Sequence, residues 1–111
     1  MPTLQLHFLG TLDIRHGDLQ LPKPPTLKSQ SLLAYLIVHR DQPQTRDRLA
    51  DIFWRDRPER KARRSLTTAL WHIRRCLPGE GYILSDAQTV QFNPQALLWL
   101  DAGEFEEKVH K

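Results

Sequence analysis

Apolar and polar positions alternate at the start of the chain, where Leu4, Leu6 and Phe8 are separated by Gln5 and His7. A period of two predicts a half-buried strand. Gly10 marks a turn or bulge, and Leu12 and Ile14 resume the alternation up to the polar turn His16-Gly17-Asp18. Leu19 and Leu21 make a third short strand closed by Pro22, so the opening segment reads as a small antiparallel meander. Past the breaker Pro24-Pro25 the period becomes helical. Thr26 is the N-cap candidate, Leu27, Leu32, Leu33, Leu36 and Ile37 are the apolar set, and Asp41-Gln42-Pro43 is the stop. A second, short helix follows Thr45, with Asp47 in its first turn, where the helix dipole favours an acid, and Leu49, Ile52 and Phe53 on its apolar face.

The third helix has the strongest pattern. At about 100° per residue, Ala62, Leu66, Ala69, Leu70, Ile73 and Leu77 fall on one side. Arg57, Arg60, Lys61, Arg64, Thr68, Trp71, His72 and Arg75 fall on the other, with Arg63, Thr67 and Arg74 on the flank. Asp56 and Glu59 have the spacing of a capping box around Pro58, which places the helix start near Arg57, and Pro78-Gly79 ends it. Tyr82-Ile83-Leu84 and Thr89-Val90-Gln91-Phe92 then flank the turn Ser85-Asp86-Ala87-Gln88, the pattern of a β-hairpin. A last short strand is expected within Leu97–Leu100, and residues 101–111 look helical and acidic. Three strands, three helices and a hairpin predict an α+β fold, the winged form of the helix-turn-helix.

Charge sharpens this reading. From Arg55 to Arg75 there are eight Lys/Arg against two acids, Asp56 and Glu59. The formal net charge of the 111 residues is +3, and residues 1–100 alone carry +5, so the basic part is the body and not a tail. A helix with one apolar stripe and one basic back suits a polyanion, and its width fits a DNA major groove, where arginines read guanine edges. One domain is expected from the length. No apolar run approaches the roughly 20 residues of a membrane span, and Met1-Pro2-Thr3 begins no secretory signal. Cys76 is the single cysteine, which excludes an internal disulfide and fits a cytoplasmic setting.

Catalytic and cofactor chemistry finds little support. His7, His16, His39, His72 and His110 show no metal spacing, the five glycines form no phosphate loop, and Ser29, Ser31, Ser65 and Ser85 lie in no nucleophile motif. Asp47 and Asp51, four apart, read as dipole and solvent partners. The expectation is a chain with no enzyme activity, metal or cofactor.

The chain resembles the N-terminal DNA-binding domain of bacterial activators of the antibiotic-regulatory-protein (SARP) class, whose winged helix is of the OmpR/PhoB type. The matching pieces are L-x-L-x-F-L-G at Leu4–Gly10, L-L-A-Y-L at Leu32–Leu36, T-R-D-R-L-A-D-I-F-W at Thr45–Trp54, and A-R-R-S-L-T-T-A-L-W-H-I-R-R at Ala62–Arg75. Asp101 and Phe105 resemble the D-x-x-x-F at the entrance of the bacterial transcriptional activator domain that follows in such regulators. The resemblance implies residues 1–100 as the winged helix and 101–111 as the start of a following helical domain or linker. It also implies tandem binding to direct repeats of double-stranded DNA and contact with RNA polymerase.

The candidate DNA-binding residues are Arg57, Arg60, Lys61, Arg63, Arg64, Thr67, Thr68, Trp71, Arg74 and Arg75. Arg60, Lys61 and Arg64 have two uses open to them, base edges or phosphates. Arg74 and Arg75 sit where cations also favour the helix C-terminus, with Arg75 expected nearer the backbone. Trp71 either packs under the wing or a neighbouring helix, or meets DNA sugars and thymine methyls. Trp54 is either a plug between the second and third helices or, as the resemblance suggests for this connection, part of a polymerase-contacting loop. Lys23 and Lys28 are outlying phosphate contacts or solvated charges, and Trp99 is expected to close the core. The wing turn lacks Lys and Arg, so Asp86 is expected to repel a backbone and Asp86→Lys to strengthen non-specific binding. With no heptad seam, the domain is expected to be a monomer that pairs on DNA. The competing reading is a protein-interaction module whose basic face docks an acidic partner.

Overall fold

The computed structural model describes residues 4–7, 13–96 and 98–100. The chain runs β1 (Leu4–His7), β2 (Asp13–His16), β3 (Leu19–Leu21), α1 (Leu27–Val38), β4 (Gln44–Thr45), α2 (Arg46–Phe53), α3 (Glu59–Cys76), β5 (Ile83–Ser85), β6 (Thr89–Phe92) and β7 (Leu98–Leu100). This is the α+β winged-helix order expected from the pattern. Phe8, Gly10, Leu12, the side chain of Trp99 and residues 101–111 lie outside the described residues.

The N-terminal sheet has the order β3-β2-β1-β7. β1 and β2 pair antiparallel from Leu4↔His16 to His7↔Asp13, and β2 and β3 from Ile14↔Leu21 to His16↔Leu19. The β2–β3 loop is the two residues Gly17-Asp18, and Gly17 takes φ 64°, the left-handed value such a tight hairpin needs at its first loop position. β7 joins the meander as a parallel partner of β1, with Leu4 opposite Leu98. The second sheet has the order β4-β6-β5, in which the wing hairpin is tied back to the two-residue β4 by Gln44↔Val90 and Thr45↔Thr89. β4 is too short to show an alternation, which is why the sequence pattern passes over it.

One apolar cluster joins the layers. Leu4, Leu6 and Ile14 come from the sheet, Leu32, Leu33, Leu36 and Ile37 from α1, and Leu49 and Ala50 from α2. α3 adds Ala62, Leu66, Ala69, Leu70 and Ile73, and the wing adds Ile83, Val90 and Phe92. The expected core face of α3 is thus the buried face.

Two of the helix starts are capped as expected and the third is a correction. Thr26 caps α1 through a reciprocal pair, with the Ser29 amide donating to Thr26 Oγ1 at 3.0 Å and the Thr26 amide donating to Ser29 Oγ at 3.2 Å. That capping box explains why Ser29 can be fully buried. Leu27, counted in the apolar set of α1, is 80% exposed, because it occupies the first turn before the helix meets the core. Thr45 caps α2 by accepting from the Arg48 amide. α3 begins at Glu59, not near Arg57: Pro58 is its N-cap residue, and no side chain caps it. A proline pushes the residue before it into extended backbone, so the helix does not run back to Arg57 and the Asp56–Glu59 capping box does not form.

Candidate nucleic-acid interface

α3 presents Arg60, Lys61, Arg63, Arg64, Thr67, Thr68, Trp71, Arg74 and Arg75 to solvent, all exposed, above the buried stripe from Ala62 to Cys76. Its 18 residues make a rod of about 27 Å. α1 and α2 pack against its apolar side, so its polar side is offered as a rigid surface.

The cations on this surface are not equivalent. Arg63, on the flank facing α2, is paired with Asp47 and lies 3.7 Å from Glu59. Arg74, on the same flank nearer the helix end, donates to the Ser85 hydroxyl on β5. Arg57, in the loop before the helix, donates to Ser65 Oγ at 2.6 Å. Arg75 lies over the Trp71 ring, with Cζ 4.8 Å from the centroid. The side chains of Arg60, Lys61 and Arg64 have no hydrogen bond or ion pair among the described residues. The Thr67 hydroxyl turns inward and donates to the Arg63 carbonyl at 3.1 Å, while Thr68 faces a groove shared with Lys28, Arg57, Arg64 and His72. Asp47 therefore serves as the partner of Arg63 besides standing in the first turn of α2.

Trp54 is 5% exposed and belongs to the core, in keeping with a plug beneath the α2–α3 connection. Lys28 Nζ sits 5.8 Å from the Trp54 ring centroid, and both residues line a groove with Arg64, Thr68 and His72 of α3. Trp71 is 54% exposed and lines a depression between the end of α3 and the wing, together with Arg74, Leu77 and Leu84. It is neither fully packed under the wing nor free of it.

The wing has a cation that its own residues lack. Arg46, the first residue of α2, donates Nε to the Asp86 carbonyl at 2.9 Å, and its amide donates to the Gln88 carbonyl at 2.8 Å. Nothing local signals this contact, which spans 40 residues. The Asp86 carboxylate accepts from the Gln88 and Thr89 amides, each at 2.7 Å. Those two backbone hydrogen bonds, with smaller help from the Thr89 hydroxyl and Arg46, hold it below the ordinary carboxylate range. Asp86 is thus the keystone of the wing turn, a role its charge alone does not suggest. At the end of α3, burial pushes the Cys76 thiol up, against a weaker opposing pull from Arg75, so it is not an activated thiolate. Among the described residues no three His, Cys, Asp or Glu side chains gather as a metal-ligand set, and no helix is long and apolar enough to cross a membrane.

No protein-family model matches the chain. It is 32% identical over 78 residues to the transcriptional regulatory protein MoaR1 of Mycobacterium tuberculosis, and equally to that of Mycobacterium bovis, an overlap of 70% of this chain and 25% of the relative. Its fold superposes on the solved structure of Mycobacterium tuberculosis EmbR in complex with a low-affinity phosphopeptide, with a TM-score of 0.67 at 23% identity. That match covers 88% of this chain and 27% of EmbR.

The chain has a winged-helix fold and is similar in sequence to a mycobacterial transcriptional regulator. It spans about a quarter of the length of the curated relatives it matches. In this winged helix the hairpin β5–β6 follows α3 and forms the wing.

Proposed function

We propose that this domain binds double-stranded DNA within a bacterial, cytoplasmic transcriptional regulator, with α3 seated in the major groove. The observation that carries the reading is the trio Arg60, Lys61 and Arg64. They stand exposed and unpartnered among the described residues, on a helix whose other side is locked into the core. An α-helix fills the major groove, and unpaired cations at its front give up no internal contact on meeting phosphates or guanine edges. Thr68 and Lys28 share a groove on the protein surface with Arg64 and extend the basic surface toward α1.

Residues 1–100 form the DNA-binding unit in this reading, and 101–111 lead into a helical domain. Two copies occupy adjacent direct repeats, and the α2–α3 connection beside Trp54 faces RNA polymerase. The free domain is a monomer in this reading, because among the described residues Leu19, Leu27 and Ile52 stand exposed on separate elements and only Trp71 and Leu84 share one small depression. Sedimentation without DNA is expected to give one monomeric species, and a stable dimer would refute this part.

The deciding experiment is binding to duplex DNA as a function of salt. Each neutralised phosphate adds about −0.9 to the log–log slope, so contact through several phosphates gives a steep line. A domain that ignores duplex DNA at moderate salt while capturing an acidic protein would establish the interaction-module reading instead.

A further inference from the structure

We infer that Trp71 and Arg75 form one base-reading unit, in which the indole holds the Arg75 guanidinium for a guanine and offers its own exposed edge to the methyl of a neighbouring thymine. The inference rests on the DNA-binding reading above and deepens it. Three observations carry it. Trp71 is 54% exposed in the middle of the face that also holds Arg64 and Thr68, and it stands outside the buried cluster. Arg75, four residues on, lies over that ring with Cζ 4.8 Å from the centroid. His72 meets the ring edge-on, with the ring centroids 5.0 Å apart, so the indole is braced from its own helix, while Leu77 and Leu84 line the same open depression.

The chemistry follows from the shape of a guanidinium. Its donors lie in one plane, and that plane matches the O6/N7 edge of guanine. A guanidinium resting on an aromatic face has lost part of its rotamer freedom before it meets a base, which lowers the ordering cost of a bidentate contact. The half of the ring left open is an apolar surface of the kind that meets the thymine methyl. Arg74, next in sequence, has no such role, because Ser85 holds it to the wing. Arg64 and Arg75 stand eleven residues apart, about 16 Å along the axis, so a helix lying along the groove sets their two base positions about five base pairs apart.

The test uses the duplex that the chain selects from a random library, with every base pair then varied in turn. Trp71→Ala is expected to lose discrimination by about 5- to 150-fold at one guanine and the adjoining thymine while leaving the other positions and the salt slope unchanged. Arg75→Lys should lose the guanine preference at an unchanged slope, and Trp71→Phe, which keeps a ring beneath Arg75, should retain most of it. Replacing that thymine by uracil removes only the methyl and should weaken the parent but not Trp71→Ala. Thermal melts confirm that each variant is folded, and should Trp71→Ala melt early, the uracil duplex with the parent and with Trp71→Phe decides alone. An unchanged base profile in Trp71→Ala, or a uniform loss at every position, overturns the inference. If Arg64→Ala relaxes its own base position in that case, the DNA-binding reading stands. A parent that selects no duplex overturns both.

Discussion

Toward its N-terminus α3 leaves the side chains of Arg60, Lys61 and Arg64 without partners among the described residues, and Arg63 is held by Asp47 and Glu59. Toward its C-terminus both arginines are engaged, Arg74 with Ser85 and Arg75 with Trp71. The two halves rest on the same core and differ only on the solvent side. Long free cations attract phosphates at any sequence, whereas a side chain that meets a base edge discriminates between bases, and fixing it in advance lowers the ordering cost of that contact. In the proposed complex the first half therefore contributes most of the attraction, with Arg64 able to reach a base, and the second half contributes most of the selectivity.

The largest expected effect tests whether the two halves are backed alike. Leu66 lies beneath the first half and Ile73 beneath the second, both within the core. Leu66→Ala and Ile73→Ala should each cost about 2–5 kcal/mol in denaturant unfolding. If one of them leaves stability unchanged, the halves do not share a common floor and the comparison fails.

Next comes the contrast between free and held arginines within the first half. Arg64→Ala should cost about 1–3 kcal/mol on the selected duplex and relax one base position. Lys61→Ala should weaken all duplexes alike and lower the magnitude of the salt slope by about one. Arg63→Ala removes a side chain already spent on exposed acids and should cost less than either. A larger loss at Arg63 would mean that its pairing gives way on DNA and that internal partners do not sort these arginines by role.

Much of this surface was legible in the sequence. The buried stripe of α3 and its exposed basic side follow from helical spacing alone, because a helix of 18 residues repeats its pattern five times. Thr26 and Thr45 were readable as caps because a hydroxyl just before an apolar period has a specific job. What escaped were contacts with no local signature. β4 is two residues long, β7 pairs in parallel with β1 across the whole chain, and Arg46 meets the wing turn from the start of α2. The sorting of the arginines escaped for the same reason. Asp47 and Ser85 lie 16 and 11 residues from the arginines they hold, and only the folded chain brings them together. Arg57 was misplaced by one local rule read too generously: a proline accepted in a first helical turn became instead the N-cap, with Arg57 outside the helix.

A smaller effect is expected at the cap of α2. Thr45→Ala removes the oxygen that accepts from the Arg48 amide and should cost about 1 kcal/mol in a thermal or denaturant melt. Thr45 is also paired with Thr89 of the wing, so the change loosens the junction that places Asp47 near Arg63. Freed of Asp47, Arg63 should then gain weight in DNA binding, measurable as a larger effect of Arg63→Ala in the Thr45→Ala background than in the parent. Additive losses would show that the cap and the pairing are independent.

The smallest effect concerns the wing, and here the folded chain changes the expectation drawn from charge alone. Asp86 does carry a negative charge toward any approaching phosphate, but its carboxylate also holds the Gln88 and Thr89 amides. Asp86→Lys exchanges that acceptor for a cation, so a gain in attraction arrives with a loosened turn. Asp86→Asn separates the two effects, because it keeps an oxygen acceptor and removes the charge. It should bind non-specific duplex slightly more tightly at low salt with the turn intact, whereas Asp86→Lys should speed amide exchange at Gln88 and Thr89. The same carboxylate sets a pH dependence. Its folded value is depressed, so its support is complete above the ordinary aspartate range and is lost as pH falls through the lowered value. Amide exchange at Gln88 and Thr89 should therefore stay protected, relative to the intrinsic rate at each pH, through the ordinary aspartate range near about 4 and lose protection only below it. Loss of protection already above that range would mean that the turn is held by something other than the Asp86 carboxylate, such as the contacts of Arg46 with the Asp86 and Gln88 carbonyls.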